Sequence, residues 1–243
     1  EGTGKSSFDI WMAAQITRGT LPGAFHGTPR RVFYCAVEDS WKYTLVPRLM
    51  AAGADLSMVG RLDVFDEDGL DVTLSLPSDN SLLEAQIIGH GVALVVIDPL
   101  MSVIGERIDT HREREVRTAL DPIAKLADRS GAIVLGIAHF NKGNGNDAAS
   151  LITGSGAFKN VPRTVFGFAK DPTPEADRVM SQVKNSLGRE DLPSLTYRIE
   201  SAMITTKTGI AETGKFVFTG ESDRSVAEVL RDSNRGPLDG QDD

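Results

Sequence analysis

The first seven residues form a sequence that is suited to binding phosphate. Glu1-Gly2-Thr3-Gly4-Lys5-Ser6-Ser7 opens a segment with helical spacing, and it matches the second part of the loop G-x-x-x-x-G-K-[ST]. Glycines let backbone N–H groups turn towards an anion, and a helix N-terminus adds partial positive charge. We therefore expect Lys5 to contact the β- and γ-phosphates of ATP and Ser6 to ligate Mg²⁺. A glycine-rich turn before an ordinary helix is the alternative interpretation.

An acidic residue follows the most apolar segment of the chain. Val92–Ile97 is a continuous apolar run that ends at Asp98, as expected of a central strand that is buried on both faces. Parallel sheets place ligand-binding groups at the carboxyl ends of their strands. Asp98 beside a phosphate-binding loop can hold Mg²⁺, whereas a turn formed with Pro99 is the alternative.

Two further acids follow the predicted strand Arg31–Val37. Glu38 would emerge at the same sheet edge as Asp98, where a carboxylate could orient and partly deprotonate the water that attacks the γ-phosphate. Asp39 is the competing candidate, and it could instead cap the next helix. Glu38 is favoured because alternation along a strand directs only one of two successive side chains inward.

His139 ends the predicted strand Ala132–Ala138. Three strand ends would thus bring Glu38, Asp98 and His139 to one edge of the sheet. A neutral imidazole there could donate a hydrogen bond to the γ-phosphate and act as its sensor. A structural histidine is the alternative.

Three cations in the second half of the chain are candidates for contacts with another molecule. Arg163 starts a predicted strand, and Lys184 and Arg189 bracket the segment Lys184-Asn185-Ser186-Leu187-Gly188-Arg189. These cations could neutralise charge on a nucleotide held by a neighbouring subunit. Surface salt bridges explain the same spacing equally well.

The elements that position these residues alternate between short apolar runs and helical stretches, which is typical of an α/β fold with a mainly parallel sheet. After Arg163 the predicted strands lie too close together for crossover helices, so we expect them to pair antiparallel along one edge. The other predicted elements are helices over Lys5–Arg18, from Ser40 to about Gly53, over Ser81–Gly89 and over Arg112–Arg129, and a strand over Arg61–Phe65. We expect Ser40 to cap its helix and Pro122 to kink the helix over Arg112–Arg129. We expect one domain over residues 1–232 and a polar linker or tail over 233–243.

The composition of the chain excludes some kinds of partner and some kinds of protein. The chain has 26 Lys and Arg against 34 Asp and Glu, a net charge of −8, which excludes attraction of its whole surface to nucleic acid. The single Cys35 excludes an internal disulfide and fits a reducing, cytoplasmic environment. No apolar run approaches the roughly 20 residues of a membrane span. The first loop glycine and a preceding strand would lie upstream of Glu1, so we expect the sequence to be a piece of a longer chain.

On these residues the sequence resembles the RecA/DnaB-type P-loop ATPases, and within that group the hexameric plasmid replication helicases of the RepA family. The resemblance spans Gly2 to about Glu190. The motifs that carry it are Gly4-Lys5-Ser6, Val37-Glu38-Asp39, Arg48-Leu49 with Ala52-Gly53-Ala54, Val96-Ile97-Asp98, Ala138-His139-Phe140-Asn141-Lys142-Gly143, and Gly154-Ser155-Gly156 leading to Asn160 and Arg163.

The resemblance implies a RecA-like three-layer αβα fold and assigns roles to single residues. It implies Lys5 and Ser6 for phosphate and Mg²⁺, Glu38 as the catalytic glutamate and Asp98 as the Walker-B acid. His139 resembles the sensor, and Arg163 resembles an arginine finger that acts across a subunit interface. Ser186 stands where some related motors carry an arginine, so a second finger at Lys184 or Arg189 stays open.

The implied activity is that of an ATP-driven, ring-forming homohexamer that acts on single-stranded DNA. The loops that would contact DNA are Glu106–Glu115 and Lys142–Ala157. The first holds Arg107, His111, Arg112 and Arg114 among acids, and in the second Lys142 is the only Lys or Arg. This is few cations for a strand-binding surface. A nucleotide-dependent DNA-binding switch, or a recombinase-like filament protein without unwinding activity, is therefore the alternative function.

Overall fold

The fold is given by a computed structural model that describes residues 2–139, 154–171, 177–206 and 209–235. Its helices are α1 (Lys5–Arg18), α2 (Val46–Ala52), α3 (Asn80–His90), α4 (Glu113–Ser130), α5 (Ala157–Asn160) and α6 (Val226–Arg235). Its strands are β1 (Arg31–Ala36), β2 (Val59–Arg61), β3 (Val64–Phe65), β4 (Asp71–Val72), β5 (Val92–Asp98), β6 (Ile133–Gly136), β7 (Thr164–Lys170), β8 (Arg178–Asn185), β9 (Ser194–Thr206) and β10 (Gly209–Ser222).

A parallel sheet of order β2-β1-β5-β6 forms the centre of the fold. Every residue of Val92–Ile97 in β5 is buried, because an inner strand of a parallel sheet is covered on both faces. Helix α1 contacts β1 and β5, while α3 and α4 contact each other and the β5 and β6 strands. The predicted α/β class is confirmed, and the arrangement is consistent with a RecA-like three-layer αβα fold.

The register of the sheet brings its carboxyl ends level. Ala36 of β1 pairs with Asp98 of β5, and Ile97 pairs with Gly136 of β6. The ladder continues past both partner strands, since the Val37 N–H donates to the Asp98 carbonyl at 3.1 Å and the Ile137 N–H donates to the Ile97 carbonyl at 2.9 Å. Asp98 therefore stands at the edge between its two neighbouring strands.

The chain divides into two compact units. One comprises Gly4–Ala138 together with Ile199–Phe216, and the other comprises Glu1–Thr3, His139–Arg198 and Val217–Asp243. In the first unit Phe216 packs edge-to-face on Phe8 of α1, with ring centroids 5.7 Å apart. A single domain over residues 1–232 stays a prediction.

The strands after Arg163 pair antiparallel, as predicted. They form a sheet of order β10-β9-β8-β7, in which Phe168 pairs with Met180 and Val179 with Thr196. Helix α6 packs Val226 and Val229 against this sheet. The helix continues to Arg235, past the predicted boundary after Asp232, and residues 236–243 of the predicted tail lie outside the described residues.

Three local predictions meet different outcomes. Ser40 caps the following helical turn as predicted, because its hydroxyl accepts from the Tyr43 N–H at 3.2 Å. The strand predicted over Arg61–Phe65 is wrong, since Val59–Arg61 pairs with β1 whereas Val64–Phe65 forms a hairpin with β4. Helix α4 runs through Pro122. Over the described residues, the helices are too short or too polar to cross a lipid bilayer.

Candidate functional site

The start of α1 has the geometry of an anion-binding loop. Gly4 precedes the helix with φ 97°, a left-handed conformation that a residue with a Cβ adopts only with strain. Its carbonyl accepts from the Ser7 and Phe8 N–H groups at 3.1 and 3.0 Å. The first N–H groups of an α-helix have no partner within the helix, and they carry the positive end of its dipole. The positive end of the α1 dipole therefore lies where the sequence predicts phosphate.

Ser6 and Asp98 meet at the edge of the sheet although 92 positions separate them in sequence. The Ser6 hydroxyl donates to the Asp98 carboxylate (Oδ2) at 2.7 Å. Burial lowers the pKa of Lys5, and the negative charge of Asp98 partly offsets this effect. The structure thus brings three predicted residues, Lys5, Ser6 and Asp98, into one electrostatic cluster.

This cluster fits a magnesium-bound nucleotide. A hydroxyl and a carboxylate are the hard oxygen donors that Mg²⁺ prefers, and the ion usually keeps waters and substrate phosphate oxygens as its other ligands. Ser6 and Asp98 provide such a pair at one point. Lys5 adds a cation for the phosphates.

Glu38 and Asp39 differ in their surroundings. β1 ends at Ala36, so strand alternation does not extend to either acid. Asp39 is half-buried and forms an ion pair with Arg48 of α2 at 3.4 Å. Glu38 is exposed next to Val37, whose N–H is bound to the Asp98 carbonyl. Asp39 does not take the capping position, which Ser40 occupies, so Glu38 is the acid that is open to solvent.

The other predicted residues lie in the second unit or outside the described residues. His139 is exposed and follows the end of the first unit at Ala138. Arg163 is exposed and immediately precedes β7. Lys142 lies outside the described residues. The sensor role of His139 and the finger role of Arg163 stay predictions.

Lys184 and Arg189 each bind groups of their own chain. The Lys184 ammonium donates to the carbonyls of Lys159, Asn160 and Pro162 at 3.1, 2.7 and 2.7 Å. The exposed Arg189 guanidinium forms two hydrogen bonds with Asp191, at 2.9 and 2.8 Å. A contact of either residue with another subunit or with DNA stays a prediction, and it would have to displace these bonds.

The predicted DNA loop Glu106–Glu115 carries less free positive charge than its composition indicates. Arg112 pairs with Asp109 at 3.3 Å and with Glu115 at 3.4 Å. These neighbouring acids neutralise Arg112, whereas Arg107 and Arg114 of the same segment are exposed. The ion pairs of Arg112 therefore reduce the positive charge that this segment could offer to DNA.

A buried pair beneath the site was not identified from the sequence. Asp9 of α1 and Tyr34 of β1 are each 1% exposed, and the Tyr34 hydroxyl donates to the Asp9 carboxylate at 3.0 Å. Burial raises the pKa of Asp9 well above its ordinary value, and the charge of Asp98 raises it further. The sequence signal for this pair is the position of Asp9 between the apolar residues Phe8 and Ile10, since an acid in an apolar stretch needs a buried partner.

A family model described as an AAA domain matches residues 1–145, which is more than half of the chain. The match includes α1, the parallel sheet and the residues Lys5, Ser6, Glu38 and Asp98. No curated protein matches the sequence.

Proposed function

This chain belongs to the AAA domain family, and from that premise we propose that it is a ring-forming motor that hydrolyses ATP and acts on single-stranded DNA. The family makes the chain a nucleotide-dependent ATPase in general. The proposal adds the ring, the DNA substrate and a helicase activity of the RepA type. The observation that carries its chemical part is the hydrogen bond between Ser6 and Asp98, at the edge where parallel sheets bind ligands.

The phosphates of ATP would lie against the N-terminus of α1. The backbone donors after Gly4 and the ammonium of Lys5 neutralise the phosphate charge. Ser6 and Asp98 would hold Mg²⁺, which when bound neutralises charge that develops on the phosphate oxygens. The half-buried position of Lys5 strengthens its attraction for phosphate, because partial removal of water lowers the local dielectric constant.

Glu38 would orient the attacking water and accept its proton. Its exposure leaves it accessible to water, whereas the ion pair with Arg48 holds Asp39 in the fold. A general base must come within hydrogen-bond reach of the water that it activates. Glu38→Gln should therefore keep ATP binding and lose turnover. Glu67→Gln, an exposed acid between β3 and β4, is the matched control and should turn over ATP like the unsubstituted protein.

Arg163 would act on the nucleotide of a neighbouring subunit in a homohexamer. It is exposed, and an arginine supplied in trans stabilises the charge of the phosphoryl-transfer transition state. Mixing Arg163→Ala with Lys5→Ala tests this arrangement. Some mixed interfaces would then combine an intact Lys5 with an intact Arg163 and recover activity. Failure to recover activity at any ratio would contradict a shared site.

His139 and the loop Lys142–Ala157 would couple hydrolysis to movement along DNA. His139 would donate a hydrogen bond to the γ-phosphate and release it after hydrolysis. A cytoplasmic location would fit a replication motor. These assignments follow the resemblance to RepA-type helicases. His139→Ala tests the sensor role: we expect the variant to retain ATP hydrolysis and to lose strand displacement.

A nucleotide-dependent DNA-binding switch is the second candidate function. The net charge of −8 and the pairing of Arg112 with Asp109 and Glu115 favour it, because both reduce the positive charge with which a motor would hold DNA. Stimulation of ATP hydrolysis by single-stranded DNA, falling steeply with salt, is expected of both candidates. Strand displacement on a forked duplex separates them, since only the motor would release the second strand.

A further inference from the structure

The backbone on both sides of the Arg163 Cα is anchored by strand β8 and by Ser186, the residue that follows this strand. The Arg163 carbonyl accepts from the Ser186 N–H at 2.8 Å. The preceding carbonyl, that of Pro162, accepts from the Lys184 ammonium at 2.7 Å. Lys184 itself is fixed in the sheet, where it pairs with Val165 of β7. The two peptide groups that flank the Arg163 Cα are therefore both held in place.

Lys184 also closes the end of α5. This helix has only four residues, Ala157–Asn160, and the last carbonyls of a helix have no partner within it. The Lys184 ammonium meets two of them, those of Lys159 and Asn160, at 3.1 and 2.7 Å. An ammonium has three N–H donors, so three carbonyls use its full capacity. One side chain thus joins the end of α5 to the residue before Arg163.

The charges around this ammonium show that it lies within electrostatic reach of Arg163. Burial lowers the pKa of Lys184, and the positive charges of Arg163 and Lys159 lower it further. Positive charge is favourable at a helix C-terminus, where the dipole is negative. The three carbonyls hold a cation close to the Arg163 side chain in spite of this repulsion.

We propose that Lys184 is a positioning residue for Arg163, which acts within its own chain by fixing the backbone from which the Arg163 guanidinium extends. The inference rests on the role of Arg163 under the proposed function. It differs from a direct contact of Lys184 with a nucleotide. In this arrangement Lys184 determines how well Arg163 stabilises the transition state and has no part in binding ATP.

Kinetics of Lys184→Met test the proposal, because methionine keeps an unbranched side chain and removes the ammonium. A misplacement of about 1 Å can cost about 100-fold in rate, so we expect kcat to fall by roughly 10- to 100-fold. The KM for ATP should stay unchanged. Lys170→Met, at an exposed lysine that ends β7, is the matched control and should keep the kcat of the unsubstituted protein.

Chemical rescue separates loss of the ammonium from loss of the fold. Lys184→Cys can be aminoethylated with 2-bromoethylamine, in which the thiolate displaces bromide and the product carries an ammonium at nearly the length of lysine. The native Cys35 is buried and is the only cysteine of the natural sequence. We expect aminoethylation to restore most of the lost kcat. An unrestored kcat in a protein with the normal melting temperature would overturn the proposal.

A double substitution distinguishes this proposal from the function on which it rests. In an Arg163→Ala background, Lys184→Met should reduce kcat no further, since the residue that it positions is absent. Multiplicative losses would show that Lys184 acts independently of Arg163 and would overturn the inference, as would a raised KM with unchanged kcat. If Arg163→Ala alone leaves kcat unchanged, the finger role of Arg163 fails instead.

Discussion

Removing the Ser6 hydroxyl tests both the hydrogen bond that this residue makes in the structure and the Mg²⁺-binding role that we propose for it. In the structure, the hydroxyl donates to the Asp98 carboxylate at 2.7 Å. Under the proposed function the same oxygen would ligate Mg²⁺. Ser6→Ala should therefore lower stability without nucleotide and also abolish the additional stabilisation that Mg²⁺ gives in the presence of ATP.

The first effect can be estimated from the bond itself. A hydrogen bond to a charged group contributes about 1.5–3 kcal/mol. Ser6 and Asp98 are both half-buried, and water can partly replace the lost hydroxyl, so we expect about 1.5 kcal/mol. For a chain of this size, a loss of about 1 kcal/mol lowers Tm by about 2–4 °C. Ser6→Ala should thus melt about 3–6 °C below the unsubstituted protein.

The second effect appears when thermal melting is measured with ATP, with and without Mg²⁺. A ligand present at about 100 times its Kd stabilises the fold by about 2.7 kcal/mol, so the unsubstituted protein should gain several degrees from MgATP. Ser6→Ala should gain little from adding Mg²⁺ to ATP.

Ser7→Ala is the control for stability without nucleotide, because it deletes the neighbouring hydroxyl and leaves the Ser6–Asp98 hydrogen bond in place. The reasoning is refuted if Ser6→Ala melts with the unsubstituted protein in the absence of nucleotide and shows the same gain from Mg²⁺.

Two further perturbations test the surroundings of this cluster. Asp9 has a raised pKa in the folded state, so the unfolded chain releases this proton first as pH rises, and stability falls from the ordinary aspartate range up to the raised pKa. Asp9→Asn should remove this loss: its Tm relative to that of the unsubstituted protein should rise as the pH increases from the ordinary aspartate range. A Tm difference that does not change with pH would contradict the burial argument. Gly4→Ala places a Cβ on a residue with φ 97° and should lower the free energy of unfolding, measured in urea, by about 1–2 kcal/mol. It should also weaken ATP binding, measured by calorimetry. Unchanged values of both quantities would contradict the assigned loop geometry.

Much of the site follows from local sequence patterns. Helix α1 begins at Lys5 as predicted, because its apolar spacing and the preceding glycines are local signals. The meeting of Ser6 with Asp98 is long-range, yet it follows from the rule that parallel strands present their carboxyl ends at one edge. The pattern of apolar residues was sufficient to place both ends.

Other contacts depend on pairing that no local pattern specifies. The Asp9–Tyr34 hydrogen bond requires the packing of α1 on β1. The three hydrogen bonds of the Lys184 ammonium to backbone carbonyls require the register of β8 against β7. That register shifts between Val165 and Phe166. Alternation was the wrong argument for Glu38, because β1 ends before it. The ion pair of Asp39 with Arg48 is what distinguishes the two acids.

The most direct test is to measure phosphate release from MgATP by the full-length protein and by Lys5→Ala. It shows whether ATP is hydrolysed at the edge formed by α1 and β5. The lysine ammonium would neutralise the transferred phosphate, so Lys5→Ala should lose turnover and keep the circular dichroism spectrum of the folded protein. Lys125→Ala, at an exposed lysine on α4, should retain full activity. Equal rates of phosphate release from the unsubstituted protein and Lys5→Ala would contradict a nucleotide site at this edge.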